Sequence, residues 1–265
     1  MDLGFRGNAY VVVGASKGMG WQAARRLAED GANVAIVSRD AASKERAAAL
    51  AEEFGIRSIG LVADASRRGE IDRAVEQAIG ELGPIRGLLA TPGSTSHNGT
   101  LLEMSDDDWD INFQDVLMSQ VRSCRAILPH LLEQGGGQLV TTGAYSIRAP
   151  KPFLFAYASL KAALVNFTKN VAKTYGAEGI RANCICPGAI ETEQLEARRR
   201  EAAESYGLPL EEALEHVMFE EWKMPVATRA VGRPEDVADL MVFALSDRAA
   251  YMTGATINID GGTDF

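Results

Sequence analysis

Val11-Val12-Val13-Gly14-Ala15-Ser16-Lys17-Gly18-Met19-Gly20 is an apolar run of strand length that breaks into a glycine-rich turn and then opens a helix. A backbone of that shape suits a phosphate. Glycines let the chain approach a pyrophosphate closely, and the free N–H groups and dipole of a helix N-terminus favour its negative charge. A Gly-x-x-x-Gly-x-Gly string occurs by chance, but at the end of the first strand of a βαβ unit it carries weight. Gly14, Ser16, Lys17, Gly18, Met19 and Gly20 are therefore candidate contacts of a dinucleotide. Outward from this turn the alternation continues. Apolar runs at Ala9–Val13, Asn33–Ser38, Ser58–Ala63, Gly87–Thr91, Gln138–Thr142, Arg181–Cys186 and Thr256–Ile259 predict seven strands. Helical periodicity fills the stretches between them, near Gly18–Asp30, Ser43–Phe54, Arg67–Leu82, Asp106–Glu133, Phe155–Tyr175 and Pro234–Leu245. This is the pattern of repeated βαβ units around a parallel sheet. No Pro/Gly/Ser linker interrupts it, so residues 1–265 read as one α/β domain.

Of 265 residues, 46% are hydrophobic and 24% charged, enough to build a core without disulfides or metal and to exclude disordered, collagen-like and coiled-coil classes. Lys+Arg 27 against Asp+Glu 36 leaves a net charge of −9, which repels a phosphate backbone. The one cationic run, Arg198-Arg199-Arg200, lies in a Glu-rich helical stretch, so nucleic acid is set aside as a partner. No apolar run approaches the ~20 residues that cross a bilayer, and the Met1-Asp2-Leu3-Gly4 start lacks the basic region of a signal peptide. No membrane association and a cytoplasmic location are expected. Cys184 and Cys186 alternate within an apolar segment, and with Cys124 they read as small buried hydrophobes of a reducing compartment. His97, His130 and His216 have no metal-ligand spacing, and no metal site is expected.

The end of the second strand is where a dinucleotide fold reads the adenosine ribose. A carboxylate there bonds the 2′-hydroxyl of NAD, whereas a cation accommodates the 2′-phosphate of NADP. This chain reads Val37-Ser38-Arg39, with no acid until Asp40. Lys17 adds a second cation on the same side, and two cations facing one dianionic phosphate favour NADP(H).

In Tyr157-Ala158-Ser159-Leu160-Lys161 the Tyr and Lys are four apart on a helical stretch, so they share a face and can meet over a substrate. A phenol is a poor base at neutral pH, and a neighbouring ammonium is expected to stabilise the phenolate and lower its pKa. The Gly14/Gly18/Gly20 turn, the Tyr157/Lys161 pair and Pro187-Gly188-Ala189-Ile190-Glu191-Thr192 together make the chain resemble the classical short-chain dehydrogenase/reductase (SDR) family over essentially its whole length. Asp64 after the third strand and Ile259-Asp260-Gly261-Gly262 near the C-terminus extend the resemblance.

The resemblance implies a Rossmann-like, doubly wound sheet with helices on both faces that binds NAD(P) across the C-terminal ends of its strands. It implies Tyr157 as general acid/base and Lys161 as the group that lowers its pKa and holds the nicotinamide ribose. It places further cofactor contacts at Ser38, Asp64, Ala90, Gly93, Pro187, Gly188 and Ile190, with Thr192 at the carboxamide or diphosphate. It also implies assembly as a homotetramer or homodimer.

The chain departs from the family's pattern at three places. A Ser normally stands thirteen residues before the Tyr, and here that position is Ala144. The Asn of the helix after the fourth strand is replaced by Val116, beside Asp115. The Asn-Asn-Ala-Gly segment reads Ala90-Thr91-Pro92-Gly93. Losing one donor to a developing oxyanion costs ~10²–10³ in rate unless a neighbour replaces it. Thr142, Tyr145 and Ser146 flank Ala144, with Ser146 and Tyr145 the foremost replacements.

Helical signal also fills Thr192–Trp222, broken by Pro209, and residues 192–228 are expected to form a helical lid over the substrate. Leu195, Tyr206, Leu208, Leu210, Leu214, Val217, Met218, Phe219, Trp222 and Met224 give it an apolar face, which implies a medium-sized, partly apolar small molecule, cyclic ones included. Arg148 and Lys151 are candidates for a substrate carboxylate or phosphate. The expected function is an NADP(H)-dependent oxidoreductase interconverting a ketone and a secondary alcohol. Two alternatives follow from the departures: a non-redox enzyme on the same fold, catalysing elimination, isomerisation or cyclisation, and a catalytically weak cofactor-binding subunit.

Overall fold

The computed structural model describes residues 2–93, 97–222, 224 and 226–263, and of Gln194 the backbone alone. Of the expected 1–265 domain, positions 1, 94–96, 223, 225 and 264–265 lie outside the described residues. Seven strands, β1 (Ala9–Val13), β2 (Asn33–Ser38), β3 (Ser58–Val62), β4 (Ile85–Ala90), β5 (Gly137–Thr142), β6 (Ile180–Pro187) and β7 (Thr256–Ile259), form one sheet in the order β3-β2-β1-β4-β5-β6-β7. Every neighbouring pair is parallel. The helices are α1 (Gly18–Glu29), α2 (Ala42–Phe54), α3 (Glu70–Leu82), α4 (Asp106–Asn112), α5 (Ser119–Glu133), α6 (Phe155–Tyr175), α7 (Glu193–Tyr206), α8 (Leu210–His216) and α9 (Pro234–Leu245).

Side chains alternate across the strands, and each face buries its own helices. Val11, Val13 and Leu88 pack with α3, α5 and α6 through Ile71, Ile127 and Val171. Tyr10, Val12 and Leu89 pack with α1, α2 and α9 through Leu27, Leu50 and Met241. Truncating a fully enclosed leucine of such layers costs ~2–5 kcal/mol. The strand order reverses direction between β1 and β4, so the carboxyl ends of these two strands open a crevice there.

The expected elements are all present, and their boundaries differ where local turns intervene. The helix expected from Arg67 begins at Glu70, because Arg67 N–H bonds the Asp64 carbonyl in a turn and Gly69 takes φ +77°. The single helix expected over Asp106–Glu133 is one run widened to π geometry at Phe113–Met118. Helix in the lid ends at Glu221, and Val226 instead bridges Thr263, so the last part of 192–228 is not helical. No helix among the described residues is long and apolar enough to cross a membrane.

Candidate active site

A cleft of about 710 Å³ lies at the crevice, within the range of small-molecule sites. Its cradle is the turn after β1. Gly14 takes φ +81°, open to glycine and costly for other residues. A Cβ on Gly20 would lie 2.5 Å from Thr91 Oγ1 and 2.6 Å from the Gly14 carbonyl, so the helix packs against the turn only without a side chain there. Helix α1 begins with no capping side chain and no acid in its first turn. Its free N–H groups therefore stand at the cleft edge, where an anion suits them. The Thr91 hydroxyl donates to the Val13 and Gly14 carbonyls at 2.8 and 3.1 Å, tying the end of β4 to the turn.

Ser38, Arg39 and Asp64 line one end of the cleft. Asp40 lines it too, but its Oδ1 accepts from the Ser38 hydroxyl and the Ala42 N–H, at 3.1 and 3.2 Å. Asp64 accepts from Ser66 N–H and hydroxyl at 2.9 and 2.7 Å. Arg122, buried on α5, braces this loop by donating to the Ala65 and Ser66 carbonyls, and Arg46 reaches the Ser16 carbonyl at 3.1 Å while stacking on Trp21. Lys17 lines the cleft and pairs with Glu193, the first residue of α7, at 3.0 Å. Ser16, Gly18, Met19, Gly93 and Thr192 also line it.

Ala90, Pro187, Gly188 and Ile190 do not line the cleft. Ala90 is buried and accepts from the Thr142 hydroxyl, Pro187 pairs with Ile259, Gly188 lies against Asp260, and Ile190 packs on Gly232. Lys161 is 2% exposed and sits just beneath the cleft floor: a Cβ on Gly93 would lie 3.5 Å from its Nζ. The Nζ donates to the Thr142 carbonyl at 2.6 Å, and Gln120, fully buried, clamps the same residue through its N–H and carbonyl. Burial pushes the Lys161 ammonium down to about 8.

Tyr157 packs against the cluster of Val116, Ala156 and Leu160, as Trp109 does, its ring 5.4 Å from Lys161 Nζ. Burial pushes its phenol above the ordinary value of 10, and the nearby Tyr145 phenol and Cys186 thiol add to the rise. This corrects the expectation that the ammonium lowers it. Lys161 lies over the ring face and donates to the Thr142 carbonyl, and desolvation is the larger effect on the phenol.

Ala144 is enclosed, and its flanking hydroxyls differ in what they can reach. Thr142 Oγ1 is committed to the Ala90 carbonyl. Ser146 is 1% exposed and its Oγ has no hydrogen-bond partner among the described residues. Tyr145 is partly buried against the lid cluster of Leu195, Leu214, Met218 and Trp222, and burial raises its phenol to about 12. Tyr206 and Leu210 of the expected apolar face are exposed, while Leu208 and Val217 pack within the lid. The Arg198–Arg200 run braces this lid: Arg198 pairs with Glu201 and Glu221, Arg199 with Glu191 and Glu196, and Arg200 with Glu196. Arg148 is exposed and Lys151 partly buried in the loop before α6.

Sequence reasoning missed Gln120, Arg122, Arg46 and Glu193. Polar residues on the inward face of α5 were the one signal available for the first two.

The sheet order and the glycine turn at its reversal define a Rossmann-like fold. Residues 14–264 match the family model described as Enoyl-(Acyl carrier protein) reductase. The chain is 30% identical to L-sorbose reductase from Gluconobacter frateurii, whose structure is complexed with NADPH and L-sorbose, with a TM-score of 0.92 covering 99% of this chain and 98% of that one. It is 29% identical over 252 residues to dehydrogenase/reductase SDR family member 4 of Oryctolagus cuniculus, covering 95% of this chain and 92% of the relative. It is 28% identical over 255 residues to the 3-oxoacyl-[acyl-carrier-protein] reductase FabG of Chlamydia muridarum, 96% of each. The chain belongs to the short-chain dehydrogenase/reductase family and is an oxidoreductase of that family.

Proposed function

We propose that the chain is an NADP(H)-dependent reductase that interconverts a ketone and a secondary alcohol, with Tyr157 as general acid/base. The observation that carries this reading is that a single cleft is lined by Lys17, Arg39 and Gly93, with Lys161 Nζ 3.5 Å from where a Cβ on Gly93 would lie. The residues fit a dinucleotide: glycines keep the cradle open, α1 offers uncapped N–H groups to a pyrophosphate, and Lys17 and Arg39 suit a 2′-phosphate. Asp40, the acid nearest the ribose end, is already engaged by Ser38 and Ala42. The neighbour solved with NADPH and L-sorbose supports both the cofactor and the carbonyl chemistry.

The bound dinucleotide supplies the hydride. Tyr157 keeps its proton at neutral pH because burial disfavours the phenolate, so it stands ready to protonate the oxygen of a carbonyl as that oxygen gains charge. Lys161, one helical turn further along α6, balances the phenolate left behind. Tyr145 donates the second hydrogen bond to the substrate oxygen in place of Ala144, since Thr142 is committed elsewhere and Ser146 is enclosed. The lid cluster around Tyr145 gives the substrate a partly apolar wall.

The test is a nicotinamide-fluorescence titration with NADPH and NADH, followed by NADPH oxidation with a panel of ketones. NADPH should bind tighter by about tenfold or more. Tyr157→Phe should abolish turnover with NADPH affinity unchanged. Retained turnover in that variant would sink the acid/base assignment, and product without any change in nicotinamide absorbance would favour a non-redox reaction.

A further inference from the structure

Lys17, read above as one of two cations for the 2′-phosphate, already has a partner. Its Nζ lies 3.0 Å from Glu193 Oε2, with both side chains largely exposed, at 65% and 70%. The two residues are 176 apart in sequence and meet because α7 starts against the glycine turn, where Thr192 Cγ2 would lie 3.8 Å from a Cβ on Gly18. Four carboxylates and two cations line the cleft. Asp40 and Asp64 are held by their own loops, through Ser38 and Ala42 and through Ser66. Glu193 differs from these: its partner among the described residues is Lys17 itself.

We propose that Glu193 competes with the cofactor's 2′-phosphate for Lys17, and so sets the preference for NADP(H) over NAD(H) from the lid. This rests on the reading of Lys17 as a phosphate contact. A dianionic phosphate is a stronger acceptor for an ammonium than a carboxylate is. When Lys17 turns to the phosphate, Glu193 loses its partner and faces a second anion. With NAD(H), Lys17 stays on Glu193 and the start of α7 stays tied to the turn. Phosphate recognition therefore works against an existing contact, and the measured selectivity is smaller than two cations alone would give. An exposed ion pair is worth up to about fivefold in an equilibrium constant, and salt screens it.

Glu193→Gln keeps the shape and removes the charge. In fluorescence titrations at low salt, it should tighten NADPH binding about threefold to fivefold, leave NADH unchanged, and lose most of that gain at high salt. Combined with Lys17→Met, the gain should fall below about twofold, since the cation under competition is gone. Unchanged NADPH affinity in Glu193→Gln overturns the competition, as does equal weakening of both dinucleotides, which would make the pair a strap over the shared part of the cofactor. Lys17→Met alone separates the two levels. If it weakens NADPH while Glu193→Gln has no effect, only the competition fails. If it leaves NADPH affinity unchanged, the phosphate reading of Lys17 fails as well.

Discussion

Exchanging Lys161 for Met removes one buried charge while keeping most of the side-chain volume. Burial holds this ammonium near a pKa of about 8, against 10.5 for an ordinary lysine. Below pH 8 folded and unfolded chains both carry the proton, and the full cost of the buried charge is present. Between pH 8 and 10.5 the folded protein releases the proton and the unfolded chain keeps it, so the unfolded state binds more protons and stability rises with pH. The gap from 10.5 to about 8, at about 1.4 kcal/mol per pH unit, corresponds to roughly 3 kcal/mol. The Met variant has no such rise, and Gln120 Nε2 still donates to the Thr142 carbonyl at 3.0 Å, so no backbone acceptor is orphaned. Urea unfolding of both cofactor-free proteins, followed by tryptophan fluorescence from pH 7.5 to 10, measures the difference. Wild-type stability minus variant stability should climb by about 2–3 kcal/mol across that window. A flat difference refutes the reasoning and means that Lys161 keeps its proton. The adjacent Cys184 thiol would then be its counter-ion, its pKa pushed down by the hydrogen bond from Cys186 and further by the ammonium.

The two hydroxyls beside Ala144 are separable: Tyr145→Phe should lower kcat by about 10²-fold with NADPH affinity intact. Ser146→Ala should leave kcat nearly unchanged and stability equal or about 1 kcal/mol higher, because it removes a buried hydroxyl with no protein partner. The reverse outcome in steady-state kinetics would make Ser146 the donor. Gly20→Ala should cost about 1–3 kcal/mol and weaken NADPH binding at least about tenfold, since its Cβ meets the Gly14 carbonyl at 2.6 Å. Gly80→Ala on α3, where a Cβ meets nothing within 4 Å, should gain about 0.5–1 kcal/mol, seen as a Tm about 1–2 °C higher.

The sheet was legible because its strands are short apolar runs bounded by turns, and β1, β2 and β7 fall on the residues that the pattern marks. The π-widened turn at Phe113–Met118 was not, since one extra residue per turn barely disturbs helical periodicity. That Gly14, Lys17, Arg39 and Asp64 line one cleft was readable because each lies at or just beyond the end of a strand, and strand ends make the crevice. Partners far apart in sequence were not readable. Arg122 supports a loop 56 residues away, Gln120 clamps Thr142 from 22 away, and Glu193 meets Lys17 from 176 away. Periodicity tells which face of a helix is buried, but not which carbonyl a buried polar side chain will reach.

The departures from the family's pattern are accommodated by different physics, and that decides what restoring them would do. Thr91 keeps a hydroxyl that ties the Val13 and Gly14 carbonyls, so the join between β1 and β4 survives the loss of an Asn. Ala144 leaves a neighbour, Tyr145, against the lid cluster. Val116 instead converts a polar position into packing: it is fully buried with Ala156 and Leu160 against Tyr157, while the Asp115 carbonyl beside it accepts from the Ser119 hydroxyl at 2.5 Å. An amide at 116 would enter an apolar cluster. Val116→Asn should therefore cost about 1–3 kcal/mol in stability and leave kcat no higher. Denaturant unfolding and steady-state kinetics on the same variant check both halves. A rise in kcat without loss of stability would show that the widened turn still holds room for the amide, and that its loss limits the rate.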